Sequence, residues 1–216
     1  MSRHQVVQRL VDIGAVAVIR MGDSSGLLKV AEALHAGGIP ALEITMTTPN
    51  ALAVIEATTK ELGDDVLVGV GSVLDSETAR LAILAGASFV VSPVFKPEIL
   101  ATAHRYDVAV MPGCFAPTEI LTAHEAGADI VKVFPADVVG MPFFKAVKAP
   151  MPFLNLMPTG GVSLTNAGDW IRAGACAVGV GSALLDKKAI AAEDYAQLTA
   201  NARQLKASVD EGRRKK

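Results

Sequence analysis

The run Asp129-Ile130-Val131-Lys132-Val133-Phe134-Pro135 reads as a short buried strand. β-branched and aromatic side chains fill it, Ala126-Gly127 precedes it, and a proline closes it. Its middle residue is Lys132, flanked by Val131 and Val133. A buried strand rarely holds an unpaired ammonium, because desolvation penalises the charged form. Loss of the proton relieves that penalty, and a neutral lysine amine is a nucleophile. The plainer alternative is a lysine at a strand end whose head escapes to solvent. The rest of the chain decides between the two.

Outward from this strand, the same pattern recurs in both directions. Short apolar strands are expected at Val16–Ile19, Ala41–Thr45, Leu67–Gly71, Phe89–Ser92, Ala109–Gly113, Ile130–Val133, Leu156–Thr159 and Ala177–Gly181. Helical stretches of 3–4 periodicity lie between them, among them Leu27–Ala36, Pro49–Leu62, Ser76–Ala85, Pro117–Ala126 and Leu164–Ala173. An extra helix over His4–Ile13 leads the chain, and a last one falls near Ala189–Ser208. Alternating βα units with continuous apolar strands imply a parallel sheet. Eight units predict an α/β fold of the (β/α)8, or TIM, barrel type, residues 1–216 forming a single domain. An open doubly wound sheet is the alternative, usually with fewer strands. Four helices end in Ala-Gly, at 36–37, 85–86, 126–127 and 173–174, each before an even-numbered strand. Each glycine is expected to adopt the left-handed helix stop, as in a chain built from two-strand units.

Composition bounds the function. The 216 residues are 51% hydrophobic and 19% charged, which describes a packed globular chain. A net charge of −2 gives no reason to invoke nucleic acid or an anionic membrane as partner. No apolar run reaches membrane-span length, and no signal-peptide core is visible. Cys114 and Cys176 make no disulfide framework, so a reducing cytoplasm is the expected location. Arg213-Arg214-Lys215-Lys216 reads as a solvated basic tail.

In such a barrel the site forms at the C-terminal ends of the strands. That rule selects Arg20 after the first strand, Glu43, Thr45 and Thr47 at the second, and Gly69-Val70-Gly71-Ser72 at the third. It adds Ser92-Pro93, Met111-Pro112-Gly113-Cys114, Lys132 with Phe134, Pro158-Thr159-Gly160-Gly161 and Gly179-Val180-Gly181-Ser182. Glu43 is a carboxylate between Leu42 and Ile44, as out of place as Lys132. Alternation puts it on one face with Ala41 and Thr45, and puts Lys132 with Ile130 and Phe134. The second and sixth strands oppose each other in an eight-strand ring, so the two side chains converge at the mouth. A purely structural ion pair is the other reading, but buried pairs stabilise poorly, and two perturbed groups in a cleft mark a site.

Glycine-rich turns after the seventh and eighth strands, Gly160-Gly161 and Gly181-Ser182, fall where such barrels hold phosphate. Backbone N–H groups approach an anion closely there. His4, His35, His104 and His124 all fall on expected helices, and no metal-ligand cluster is visible. Neither a metal nor another cofactor is called for. Cys114 is placed at the mouth, where it lines the site without a histidine to activate it. Trp170 is assigned to packing.

Together these motifs resemble the 2-keto-3-deoxy-6-phosphogluconate (KDPG) aldolase family, which includes 4-hydroxy-2-oxoglutarate (KHG) aldolases. The resemblance rests on Leu42-Glu43-Ile44-Thr45, Gly69–Val73, Ser92-Pro93, Met111-Pro112-Gly113, Val131–Pro135, Pro158–Val162 and Gly179–Ser182. It implies a class I, metal-independent aldolase, commonly a homotrimer, acting on a 2-keto acid or phosphosugar acid as in the Entner-Doudoroff route. By position, Lys132 becomes the Schiff-base lysine and Glu43 the acid/base. Arg20, Thr47, Ser72, Pro93, Phe134 and Thr159 surround the substrate, and Gly160, Gly161, Gly181 and Ser182 hold its phosphate. The expected reaction cleaves 2-keto-3-deoxy-6-phosphogluconate to pyruvate and glyceraldehyde 3-phosphate. A KHG substrate and a C4-epimeric sugar-acid phosphate are the alternatives. One departure stands out: family members with Leu-Arg-Thr carry an arginine, associated with the substrate carboxylate, where this chain has Thr47. Arg20 is the other cation, unless it pairs with Asp23. Rival readings are a phosphate-binding isomerase or synthase in which Lys132 is only a charge, and a phosphosugar-binding barrel with a dead site.

Overall fold

The computed structural model describes residues 1–22 and 26–215. Asp23, the suggested partner of Arg20, lies outside the described residues, as does Lys216 at the end of the basic tail. The parallel strands are β1 (Ala15–Ile19), β2 (Ala41–Thr45), β3 (Leu67–Gly71), β4 (Phe89–Val91), β5 (Ala109–Met111), β6 (Gly113–Cys114), β7 (Val131–Val133), β8 (Leu156–Pro158) and β9 (Val178–Val180). They form one sheet of order β5-β4-β3-β2-β1-β9 and a second of order β6-β7-β8. β5 and β6 are one expected strand interrupted at Pro112. The interruption is local, because the Pro112 carbonyl still accepts the Lys132 N–H at 2.9 Å. At the other seam a parallel bridge joins Thr159 to Gly179, and Cys176 N–H donates to the Leu156 carbonyl at 2.9 Å. The result is an α/β fold whose parallel strands curl around a shared interior.

Strand alternation sorts the apolar residues into two clusters. Val16, Ala41, Leu67, Phe89, Ala109, Ile130 and Ala177 face the interior. Their neighbours Ala17, Leu42, Val68, Val90, Val110, Val131 and Val178 face the helices. The leading helix α1 (Arg3–Ile13) closes the interior at the strand N-termini with Val6, Leu10 and Ile13. It starts at a capping box, in which Gln5 N–H donates to Ser2 Oγ at 3.4 Å and Ser2 N–H to Gln5 Oε1 at 2.8 Å. Gly14, with φ 77°, ends it.

The outer helices are α2 (Leu27–Ala36), α3 (Ala51–Leu62), α4 (Ser76–Leu84), α5 (Pro97–Arg105), α6 (Pro117–Glu125), α7 (Ala136–Lys148), α8 (Ala167–Arg172), α9 (Lys187–Ala191) and α10 (Tyr195–Arg214). Three corrections follow. The expected last helix is two, because Asp186 and Asp194 each cap a separate start. Gly86, Gly127 and Gly174 take the left-handed stop, but after α2 it is Gly38 (φ 89°), with Gly37 still right-handed. Gly37 is instead needed for space, since a Cβ there would overlap Ala202 of α10. Finally, the basic tail is solvated at Arg214 and Lys215 but anchored at Arg213. α10 continues to Arg214, and Arg213 donates to the Asp12 carbonyl at 2.6 Å and to the Val11 carbonyl, tying α10 to the end of α1.

Candidate active site

Glu43 sits at the centre of β2, opposite Val18 of β1 and Gly69 of β3 in the ladder. It is 1% exposed, and neither carboxylate oxygen has a hydrogen-bond partner among the described residues. Burial raises its pKa above the ordinary carboxylate value, and the Lys132 and Arg20 charges only partly oppose this. The space it occupies exists because Gly71, on the adjacent strand, has no side chain; a Cβ there would overlap Glu43 Oε1. Lys132, at the centre of β7, is 6% exposed, and its Nζ lies 5.0 Å from the Phe134 ring centroid. Val131 and Val133 point into the helix layer, so Lys132 faces the interior with Ile130. The interior face thus holds a carboxylate and an amine, and the amine's charge acts on the carboxylate.

One step outward along the strands lies an open cleft of about 610 Å³. Eight of the residues expected from sequence line it: Arg20, Thr47, Phe134, Thr159, Gly160, Gly161, Gly181 and Ser182. Phe134 is 38% exposed there and precedes a cis peptide bond to Pro135. Thr159 Oγ1 is buried without a partner among the described residues. Gly160 (φ 105°) and Gly161 (φ 69°) have left-handed backbone, and a Cβ on either would meet Asp137 at the start of α7. Gly181 is under no such constraint, because a Cβ there would find only ordinary contacts.

At the end of β2 the hydroxyls of Thr45, Thr47 and Thr48 cluster. Thr45 Oγ1 donates to the Ile19 carbonyl at 3.2 Å and lies 2.9 Å from Thr47 Oγ1. Thr48 Oγ1, buried beside them, accepts the Met21 N–H at 3.4 Å. Ser72 and Pro93 end β3 and β4 and do not line the cleft. Ser72 holds a left-handed φ of 59°, unusual for a residue with a side chain.

The sequence matches the family model for KDPG and KHG aldolase over residues 6–201. The chain belongs to the KDPG and KHG aldolase family. It is 37% identical over 204 residues to a 2-dehydro-3-deoxy-phosphogluconate aldolase of Treponema pallidum (strain Nichols), covering 93% of this chain and 94% of that one. It is 34% identical over 170 residues to the 2-dehydro-3-deoxy-6-phosphogalactonate aldolase of Escherichia coli (strain K12), covering 78% of this chain and 83% of the relative. Among solved structures it resembles the KDPG aldolase from Legionella pneumophila with pyruvate captured as a covalent carbinolamine intermediate. That likeness has a TM-score of 0.83 and 29% identity, over 89% of this chain and 93% of the other. The KDPG/KHG aldolases are class I carbon–carbon lyases.

Two sequence expectations look different on this family member. Cys114 does not line the cleft. It belongs to the outward face of β6, its Sγ donates to the Glu119 carbonyl at 3.5 Å, and burial pushes its thiol up to about 12. The expectation failed because the inward register of this strand runs through Ala109, Met111 and Gly113, which leaves Cys114 on the helix side with Val110. Conversely, Val18 and Lys187 line the cleft and were missed. Val18 shares the inward alternation of Val16 and Arg20, a signal present in the sequence. Lys187 opens α9, five residues after Ser182, and only folding brings it to the cleft wall. No trio of His, Cys, Asp and Glu among the described residues is arranged to hold a metal, and no described helix is long and apolar enough to cross a membrane.

Proposed function

We propose that this chain cleaves 2-keto-3-deoxy-6-phosphogluconate to pyruvate and glyceraldehyde 3-phosphate through a Schiff base on Lys132. The observation that carries the reading is a buried amine and a buried, unpartnered carboxylate on one interior face, while Thr47 and Phe134, further along the chain from each, line a cleft rimmed by glycine turns. Lys132 Nζ attacks the C2 ketone, and loss of water gives an iminium. Glu43, its pKa raised by burial, takes and returns protons during carbinolamine formation and removes the C4 hydroxyl proton. The C3–C4 electron pair flows into the iminium, releasing the aldehyde and leaving the enamine of pyruvate. Protonation at C3 and hydrolysis free pyruvate and regenerate the amine. The backbone N–H groups of Gly160, Gly161, Gly181 and Ser182 receive the phosphate. Phe134 and Thr159 form the wall beside the reacting carbons, and Thr47 with Arg20 faces the carboxylate; Ser72 and Pro93, expected at the pyruvyl end, lie outside the cleft lining.

The galactonate-specific relative supports a second reading, in which the C4 epimer is the substrate. We further infer a complete (β/α)8 barrel with α1 as its extra plug, supported by the hydrogen bonds across both seams. A homotrimer agrees with the exposed Leu74, Leu81 and Leu84. A cytoplasmic location agrees with two free cysteines. Pyruvate with borohydride is the test of the chemistry. Intact mass and peptide mapping are expected to find one pyruvyl adduct, on Lys132, also in the presence of EDTA. An adduct confined to another lysine, or none, overturns the Schiff-base reading.

A further inference from the structure

We propose that Lys187 is the cation that receives the distal phosphate, which leaves Arg20 for the substrate carboxylate. The inference deepens the aldolase reading and rests on it. A phosphorylated 2-keto acid brings two anionic ends into the cleft, and the family arginine is absent at Thr47. The cations on the cleft wall are Arg20 and Lys187. Both are exposed, and neither has a hydrogen bond or ion pair among the described residues. Their positions divide the work. Lys187 is the first residue of α9, which the chain reaches from β9 through Gly181-Ser182, one of the two glycine turns. The carboxylate before it, Asp186, is turned away, accepting from Lys188 N–H at 2.7 Å and Ala189 N–H at 3.2 Å. Arg20 follows β1, whose ladder partner is β2, the strand that carries Glu43 and leads to Thr47. Electrostatics agree: the Arg20 charge acts on Glu43, whereas Lys187 is not among the charges that move it. Arg20 therefore lies toward the reacting end and Lys187 toward the outer end. An adjoining cleft of about 480 Å³ is lined by the same two cations, with Glu193 on its wall. A charge-assisted contact of this kind is worth roughly tenfold or more in affinity.

The test compares Lys187→Ala, Lys187→Arg and Arg20→Ala against the parent enzyme. Two readouts are taken: kcat/KM for phosphorylated and unphosphorylated 2-keto-4-hydroxy acids, and calorimetric binding of glycerol 3-phosphate, which has no ketone or carboxylate. Lys187→Ala is expected to lower the phosphorylated-to-unphosphorylated ratio about tenfold or more and to weaken glycerol 3-phosphate similarly. Lys187→Arg is expected to restore both. Arg20→Ala is expected to slow borohydride trapping of pyruvate more than Lys187→Ala does. A ratio unmoved by Lys187→Ala, or one that collapses in Arg20→Ala while pyruvate trapping survives, overturns the assignment. So does a parent enzyme without preference for phosphorylated acids. Failure of the aldolase reading is distinct: the parent then forms no pyruvate adduct, whatever glycerol 3-phosphate does.

Discussion

Glu43 concentrates the cost and the use of this site in one side chain. Its folded-state pKa is raised above the unfolded value, the reverse of a typical paired carboxylate. The ionised form therefore subtracts from stability. The loss begins as pH climbs past the unfolded value, about 4.3, and is complete only above the folded one. Glu43→Gln keeps the shape and removes the charge. Its kcat is expected to fall roughly 10²–10⁴-fold, the range for general acid–base catalysis. Its stability is expected to exceed the parent's at alkaline pH, because the amide carries no charge to desolvate. That excess should shrink as pH falls toward about 4.3. Urea unfolding at several pH values measures it, and a constant difference across pH would show that burial does not strain this carboxylate. The same position explains Gly71, which sequence placed on a strand end but could not justify. It is glycine because Glu43 occupies the volume of its missing side chain.

Among the elements, α10 shows how helix packing constrains residues that look unremarkable in sequence. It runs Tyr195–Arg214 and packs on α8 through glycines on both sides. A Cβ on Gly168 would overlap the Ser208 carbonyl, and a Cβ on Gly212 would lie 2.6 Å from Gly168 Cα. The obstructing atoms are backbone, so they cannot rotate away. Alanine at 212 gains helix propensity of about 1 kcal/mol, yet forces the two axes apart. Gly212→Ala is expected to destabilise the fold by roughly 1–3 kcal/mol, the usual cost of overpacking. Urea midpoints at neutral pH check it; a stabilised variant would show that the helices separate freely. α1 plays the complementary part at the strand N-termini, since Val6, Leu10 and Ile13 fill the interior end opposite the cleft.

At the scale of the whole molecule, the large apolar side chains left in water sit partly on one helix and its approach. Leu74, Leu81 and Leu84 are 54%, 53% and 62% exposed, more than a monomer needs. If this face joins copies of the chain into the proposed trimer, sedimentation equilibrium of the parent should return about three times 22.4 kDa. A Leu81→Asp, Leu84→Asp double variant should return one protomer mass at the same concentration. A parent that sediments as one protomer removes the trimer from the reading.

Much of this was legible in the sequence, because local rules decide it. Apolar strands alternating with 3.6-periodic helices follow from side-chain burial alone, and every expected strand reappears within about two residues. Lys132 and Glu43 stood out because a charge inside an apolar run has no local explanation. Other features depended on contacts between residues far apart in the chain. The Arg213 anchor on the end of α1, the overlap that makes Gly71 obligatory and the return of Lys187 to the mouth carry no local pattern. The sequence by itself determined which residues must be buried and which chemistry they carry. The tertiary structure decided which of them share a cavity, because register and helix packing set side-chain distances that no local run of residues contains.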